Sequence, residues 1–263
     1  MKRVVACGDS HCGHKAGLTP PQYQYPARSS ASRRVKQWGQ IQSELWAFWK
    51  QKVEQLKPID VLLINGDAMD GKGSRSGGTE LLTADLHEQA EMAVGCFSWV
   101  EAGSIIMTYG TPYHVNAQDG TDYEGVVARE LGAQIGGHEW VEVNGCVFDI
   151  KHKIGGSQVP HGRHTAIARE RLWNVLWNER DYAPKADVIL RSHVHYFSFC
   201  GSSNWAAFTL PALQGPGSKF GVRQCSGLID FGFLSFDTYD DGCYNWSSHI
   251  LKIKAGIPEP IRI

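Results

Sequence analysis

Short apolar runs that stop abruptly at a carboxylate or an imidazole constrain this chain more than any other feature. The first run, Val4 to Cys7, is followed by Gly8-Asp9-Ser10-His11. Residues two apart in extended backbone point the same way, so Asp9 and His11 can offer an oxygen and a nitrogen to one metal ion. A helix cap is the alternative, because Asp9 or Ser10 could accept N–H groups at a helix start.

Four further apolar runs end in the same kinds of residue. They close at Asn65-Gly66-Asp67, at Tyr109 to His114, at Lys151-His152-Lys153 and at Ser192-His193-Val194-His195. Taken singly, Asp67 is typical of a turn and His152 of an exposed strand. Binding sites in open α/β folds form at strand ends, however, and so many ligand-type residues are hard to place there by chance. We therefore predict a metal site built from Asp9, His11, Asp67, His152, His193 and His195.

Hydrophobic spacing predicts helices between these runs. Apolar residues recur at helical intervals over residues 33–56, 79–101 and about 165–179, with Thr79 as a candidate cap. Alternation of strand and helix in the first half indicates parallel βαβ units. Later, the Asn144-Gly145 dipeptide predicts a hairpin, and antiparallel strands should meet at residues 240–242. We expect mixed sheets flanked by helices, with strand-end loops at a common edge.

Composition excludes several classes of protein. The 263 residues carry a formal net charge of -1, so no strong overall charge draws the chain to nucleic acid or anionic membrane. We find neither a secretory signal nor an apolar stretch of the ~20 residues that span a bilayer. The seven cysteines are odd in number and widely spaced, which favours a reduced, cytoplasmic protein.

The order of these motifs resembles that of the calcineurin-like metallophosphoesterases. That family carries D-x-H, G-D, G-N-H-[DE], a lone His and G-H-x-H after successive strands, and the match here runs from Val4 to about His195. Two motifs depart from the pattern. The third is Gly110-Thr111-Pro112-Tyr113-His114, and Ser192 replaces the glycine before H-x-H. The missing Asn would be a ligand, and Thr111, Asn116 or a water are open replacements.

The resemblance implies two divalent ions. Asp9, His11 and His195 would bind one ion, His152 with His193 the other, and Asp67 would bridge them. Two ions about 3.5–4 Å apart clamp a phosphate and turn a bridging water into an attacking hydroxide. His114 would protonate the leaving alkoxide, oriented by Asp119, Asp122 or Glu124. Mixed oxygen and nitrogen ligands favour Mn²⁺, Fe, Zn²⁺ or Ni²⁺ over Mg²⁺ or Ca²⁺.

The resemblance also implies a fold and an activity. We expect a four-layer αββα sandwich of two mixed β-sheets, as one domain over residues 1–263 without a cap domain. We expect a phosphodiesterase that acts on a nucleotide or nucleic-acid-type diester, nucleases included. A phosphomonoesterase is the alternative among enzymes, and a scaffold protein of the same fold that has lost catalysis is the alternative from another class. "GDAMDGKG" lacks the arginine of the protein phosphatase motif, which argues against that activity.

Substrate contacts are harder to assign from the sequence. Arg163 and His161 in "PHGRH" follow His152 closely and could grip a phosphate, as could Thr111, although a solvated helix start explains the first two equally well. We expect no membrane contact and no obligate protein partner. Two loops combine aromatic and basic residues. The first contains Tyr23, Tyr25, Arg28, Arg33 and Arg34, and the second contains Lys219 and Phe220. For the first loop, we favour packing of its tyrosines on the long helix over contact with substrate.

Overall fold

Eleven strands and five α-helices are present in the part of the chain that the structure, a computed structural model, describes: residues 1–26, 32–115, 120–157, 159–218 and 228–253. The strands are β1 (Lys2–Cys7), β2 (Val61–Asn65), β3 (Ser104–Thr108), β4 (Gln134–Gly136), β5 (Glu139–Val143), β6 (Cys146–Lys151), β7 (Val188–Arg191), β8 (Ser198–Ser202), β9 (Trp205–Thr209), β10 (Phe231–Thr238) and β11 (Tyr244–Leu251). The helices are α1 (Arg33–Leu56), α2 (Leu86–Phe97), α3 (Pro112–Val115), α4 (Tyr123–Leu131) and α5 (Gly162–Asn178).

The strands form two mixed sheets. The first has the order β11-β10-β1-β2-β3-β4, with β1 to β4 parallel and the β10–β11 hairpin antiparallel beside β1. The second has the order β5-β6-β7-β9-β8, with a parallel centre and antiparallel edge strands. Parallel neighbours place the loops after β1, β2 and β3 at one edge of the first sheet, and those after β6 and β7 at one edge of the second.

Three apolar clusters separate four layers. Leu63, Phe148 and Phe236 belong to the cluster between the two sheets. Helices α1, α2 and α4 cover the outer face of the first sheet, and α5 covers that of the second. The predicted αββα sandwich is therefore confirmed. Among the described residues, no helix combines the length and apolarity that a bilayer crossing requires.

Local sequence signals located several elements well. Helix α1 occupies the predicted range, and β10 and β11 pair as expected. Asn144 and Gly145 join β5 to β6 with φ values of 53° and 79°. Two positive φ values are what a two-residue type I′ turn requires, and Asn-Gly supplies them at little steric cost.

The helix predicted from Thr79 is wrong over its first turns. Helix α2 begins at Leu86, where the Asp85 side chain accepts the N–H groups of His87 and Glu88. Upstream, Leu81 forms an isolated bridge with His14, and Leu82 donates to the Gly13 carbonyl. Pairing with a distant segment therefore takes up the backbone groups that a helix would have used.

The aromatic residues near the N-terminus are structural. Trp49 is fully buried, and Trp38, Trp46 and Tyr23 pack against the same core. The Tyr25 N–H donates to the Gln42 side chain on α1. The tyrosine loop thus lies on the long helix, as favoured from the sequence. Arg28 is outside the described residues, as are Lys219 and Phe220.

Candidate metal centre

The loops after β1 and β7 bring together a first candidate ligand group, Asp9, His11 and His195. Asp9 Oδ1 lies 3.3 Å from His195 Nε2, and the Nε2 atoms of His11 and His195 are 3.2 Å apart. Asp9 also accepts the His193 N–H at 3.0 Å, which joins the two loops. All three ligand-group side chains are buried, so their donor atoms converge away from bulk water.

The loops after β2, β6 and β7 supply a second group, Asp67, His152 and His193. Asp67 Oδ2 lies 3.1 Å from His152 Nε2. The same oxygen lies 4.0 Å from His11 Nε2 of the first group. Asp67 therefore faces both groups, and the six residues predicted as ligands, scattered over 187 positions from Asp9 to His195, are neighbours in space.

Hydrogen bonds on the far ring nitrogens orient two of the imidazoles. His152 Nδ1 lies 2.9 Å from the Asn65 carbonyl oxygen, which can only accept. The hydrogen is therefore on Nδ1, and the Nε2 lone pair faces Asp67 when the ring is neutral. His11 Nδ1 pairs with the Asp70 carboxylate at 3.0 Å. Such outer contacts fix the tautomer of metal-binding histidines. The sequence motifs assigned no role to Asp70, although it lies only three residues after the predicted ligand Asp67.

His114 lies beside the cluster with its ring edge against His11. Its Nδ1 donates to the Asp70 carbonyl at 2.6 Å, and its Nε2 is 3.7 Å from Asp67 Oδ2. His11, Asp67 and His114 thus form a third group of potential ligands.

The acids suggested as partners of His114 have other contacts in the structure. Asp122 caps α4 and accepts from the Tyr109 hydroxyl. Glu124 accepts the N–H groups of Ala68 at 3.2 Å and Gly110 at 2.7 Å, and so holds the loops after β2 and β3 together. Asp119 lies outside the described residues, as does Asn116.

The backbone at the candidate ligands is conformationally unusual. Eight non-glycine residues in the described ranges have positive φ, and five of them are candidate ligands: Asp9, His11, Asp67, His193 and His195. Such residues cost of order 1–3 kcal/mol each and persist where the surrounding structure dictates them. Ordinary buried polar side chains do not require such a backbone, so the repeated left-handed conformation distinguishes the candidate ligands from them.

Two glycines permit the close packing. A Cβ on Gly110 would overlap the Asp67 side chain and backbone, and one on Gly66 would overlap His152. Gly66 also has a φ of 77°. Both positions therefore exclude side chains for steric reasons, and Gly66 for conformational ones as well.

The charges of the second group depend on one another. Burial alone would raise the pKa of Asp67, but the nearby imidazoles, His152 foremost, hold it well below its ordinary value. Burial would lower the pKa of His152, yet Asp67 raises it to about 10. Burial lowers the pKa of His193 to about 4, which leaves that ring neutral and able to bind a metal. The buried Asp67 carboxylate thus has positive charge beside it from the His152 imidazolium, and a divalent cation could take over that role.

The three suggested substrate contacts lie in different surroundings. Thr111 is buried, and its Oγ1 is within hydrogen-bonding distance of Asp67, His152 and His193. The Arg163 guanidinium stacks on the Tyr196 ring at 4.1 Å. His161 is exposed at the start of α5.

No protein-family model matches the chain, and no curated protein matches it. Several solved structures do match the chain. Vps29 from Entamoeba histolytica complexed with Zn²⁺ is 13% identical, with a TM-score of 0.42 over 94% of this chain and 98% of that one. An archaeal phosphodiesterase is 12% identical, with a TM-score of 0.45 over 94% and 99%. A predicted phosphoesterase from Streptococcus pneumoniae is 11% identical, with a TM-score of 0.39 over 94% and 97%.

The sheets and side chains of this chain themselves define an α/β sandwich with candidate ligands for divalent metal at its strand ends. The order of its motifs along the chain resembles that of the calcineurin-like metallophosphoesterases.

Proposed function

We propose that this protein is a metal-dependent phosphoesterase that holds two divalent ions and hydrolyses phosphodiesters of the nucleotide or nucleic-acid type. The observation that carries the proposal is the position of Asp67. Its Oδ2 lies 3.1 Å from His152 Nε2 in one ligand group and 4.0 Å from His11 Nε2 in the other. A carboxylate so placed can contact ions on both sides.

The donor set fits borderline transition metals. Imidazole nitrogens outnumber carboxylates in the two groups, which favours Mn²⁺, Fe, Zn²⁺ or Ni²⁺ over cations that prefer oxygen alone. Ions held there would neutralise phosphate charge and activate water for in-line displacement.

His114 is the proposed general acid. Because its Nδ1 donates to the Asp70 carbonyl, a second proton on Nε2 would be the one available to a leaving oxygen. A positioned acid of this kind contributes roughly 10²–10⁴-fold to rate. The same Nε2 faces Asp67 and could bind a metal ion instead. An experiment on His114 therefore has to measure both metal content and rate.

The preference for diesters is the part of the proposal that the family resemblance supports. The near-neutral net charge favours a nucleotide or a short strand over long duplex contacts, which require several Lys or Arg residues. Arg163 remains the proposed phosphate contact, because its guanidinium stacks on Tyr196, the residue after the candidate ligand His195.

The proposal is tested by metal analysis followed by assays on two synthetic esters. Purified protein loaded with Mn²⁺, Fe, Zn²⁺ or Ni²⁺ should cleave bis-p-nitrophenyl phosphate faster than p-nitrophenyl phosphate. Asp67→Asn should abolish turnover, whereas Asp241→Asn, at an exposed turn, should not change it. Preference for the monoester would select the phosphomonoesterase alternative. Metal-loaded protein that cleaves neither ester but binds a protein partner would replace the enzyme proposal with the scaffold one.

A further inference from the structure

The Thr111 hydroxyl lies within the second ligand group. Its Oγ1 is 3.2 Å from Asp67 Oδ2, 3.2 Å from His152 Nε2 and 3.1 Å from His193 Nδ1. Asp67 Oδ2 and His152 Nε2 are themselves 3.1 Å apart. Four potential donor atoms therefore lie close together.

The size of this frame matches a metal ion. A tetrahedron with edges of about 3.2 Å has its centre about 2.0 Å from each corner, the distance at which Zn²⁺ binds imidazole nitrogen and carboxylate oxygen. Four of the six edges fall between 3.1 and 3.2 Å. The other two edges join His193 to Asp67 and to His152, and the ligand atoms of these three residues lie within 4.8 Å of one another.

Hydrogen bonds and a metal ion make different demands on these atoms. A threonine hydroxyl has one hydrogen and two acceptor lone pairs, so without an ion it would donate to the carboxylate oxygen and accept from the two ring nitrogens. A cation at the centre would engage the lone pairs of all four atoms together.

Thr111 is also held in place by its own backbone. Its N–H donates to Asp67 Oδ1, and the preceding residue, Gly110, donates to Glu124 on α4 at 2.7 Å. The hydroxyl thus belongs to a loop fixed at two consecutive peptide groups, and the supporting contacts needed for a precise ligand are present.

We propose that Thr111 Oγ1 is the fourth protein ligand of the ion held by Asp67, His152 and His193. This inference rests on the proposed metal-dependent function. It assigns Thr111 to the metal rather than to the substrate. It also names, among the replacements left open by the sequence, the residue that takes the place of the missing asparagine.

Calorimetric titration of the metal-free protein with Mn²⁺ tests the assignment. Thr111→Val keeps the shape and removes the oxygen, so affinity for one of the two ions should fall roughly 10–100-fold, while Thr111→Ser should stay within about threefold of wild type. Thr238→Val is the matched control, because it removes a buried hydroxyl bonded to the Lys2 carbonyl, at the end of β1 opposite to the candidate ligands. Its two affinities should equal those of wild type.

A second variant separates a ligand from a residue that only orients its neighbours. In Thr111→Cys with Co²⁺, a sulfur in the coordination sphere should give a thiolate-to-cobalt charge-transfer band in the near ultraviolet. Wild-type protein with Co²⁺ should lack this band. The band would show that a donor atom at position 111 lies within bonding distance of the ion, and its absence would leave Thr111 only an orienting role.

The outcomes distinguish this inference from the proposed function. Two bound ions in wild type, with unchanged affinities in Thr111→Val and no charge-transfer band in Thr111→Cys, would overturn the role of Thr111 and leave the metal centre standing. Wild-type protein that binds no divalent ion would overturn both.

Discussion

Arg191 lies two residues before the candidate ligand His193 and is completely buried among carboxylates. Its Nη1 donates to Asp149 Oδ1 at 2.7 Å, and its Nε donates to Glu170 Oε2 at 2.8 Å. His138 Nε2 lies 2.8 Å from the same Asp149 oxygen. Breaking a buried ion pair leaves a charge without compensation, so the backbone that leads into the second ligand group depends on Asp149.

Asp149→Ala should therefore destabilise the protein by about 3 kcal/mol, because it removes one of the two carboxylates that compensate the buried Arg191 charge. Urea unfolding followed by tryptophan fluorescence measures this. Asp241→Ala, at an exposed turn, should change the free energy of unfolding by less than about 0.5 kcal/mol. Equal effects of the two substitutions would contradict the structural role of the ion pair.

The same carboxylate predicts a pH dependence. Burial alone would raise the pKa of Asp149, but the hydrogen bond from His138 and the charge of Arg191 hold it below its ordinary value. The stabilisation is thus complete above the unfolded-state pKa, about 3.9, and is lost as the pH falls through the lower folded-state value. The stability difference between wild type and Asp149→Asn should be constant near neutral pH and shrink in acid. If this stability difference grew on acidification, the pKa of Asp149 in the folded protein would be raised and not lowered.

Substitution of His114 tests whether this residue is the general acid or a metal ligand. We expect His114→Ala to lower the turnover of bis-p-nitrophenyl phosphate by roughly 10²-fold or more, with two ions still bound. Metal content is measured on the same preparation. His87→Ala is a suitable control, because this imidazole pairs with the Tyr123 hydroxyl. Loss of one ion from His114→Ala would make His114 a ligand, and an unchanged rate would remove it from catalysis.

At the scale of elements, α4 carries an acid that joins two strand-end loops. Glu124 is buried, and burial together with the nearby Asp67 raises its pKa to about 7. Its two oxygens accept the N–H groups of Ala68 and Gly110. The helix thereby fixes the spacing between the loop that carries Asp67 and the loop that carries Thr111.

Glu124→Gln replaces one of those acceptors with an amide N–H₂ group. The facing backbone N–H then lacks a partner, at a cost of about 1–3 kcal/mol. We expect a lower melting temperature and weaker binding of Mn²⁺. Glu130→Gln, exposed on the same helix, should match wild type in both. Wild-type metal affinity in Glu124→Gln would show that the loops keep their spacing without it.

Sequence reasoning succeeded where the signal was local. The Asn144-Gly145 turn and the spacing of α1 depend on a few adjacent residues, and both were predicted. The start of α2 was not, because Leu81 bridges His14 across the fold. The same limit applies to the candidate site. Motif order pointed to the six clustered side chains, whereas the contacts of Asp70 and Glu124 depend on loop packing that no linear pattern encodes.

At the scale of the whole molecule, the candidate centre lies where the two sheets meet. Asp9, His11 and Asp67 follow strands of the first sheet, and the remaining imidazoles follow strands of the second. The Asn65 carbonyl accepts from His152 across this junction at 2.9 Å. Ions bound there would connect both halves of the sandwich, so metal binding should be coupled to global stability.

Mn²⁺ at about 100 times its dissociation constant should stabilise the native state by about 2.7 kcal/mol per site. For a chain of this size, each kcal/mol raises the melting temperature by about 2–4 °C. Calorimetry with Mn²⁺ and then with excess EDTA measures the shift, which Asp67→Asn should largely abolish. An unchanged melting temperature of the wild-type protein would contradict metal binding by this cluster.

The five left-handed residues among the candidate ligands have an evolutionary consequence. Glycine would relax their backbone, and asparagine adopts that conformation more readily than most residues. A population of variants selected for heat resistance alone should therefore drift toward these two residues at those positions. Selection that also requires hydrolysis should preserve the aspartates and histidines, so the two regimes would diverge first where the ions are expected to bind.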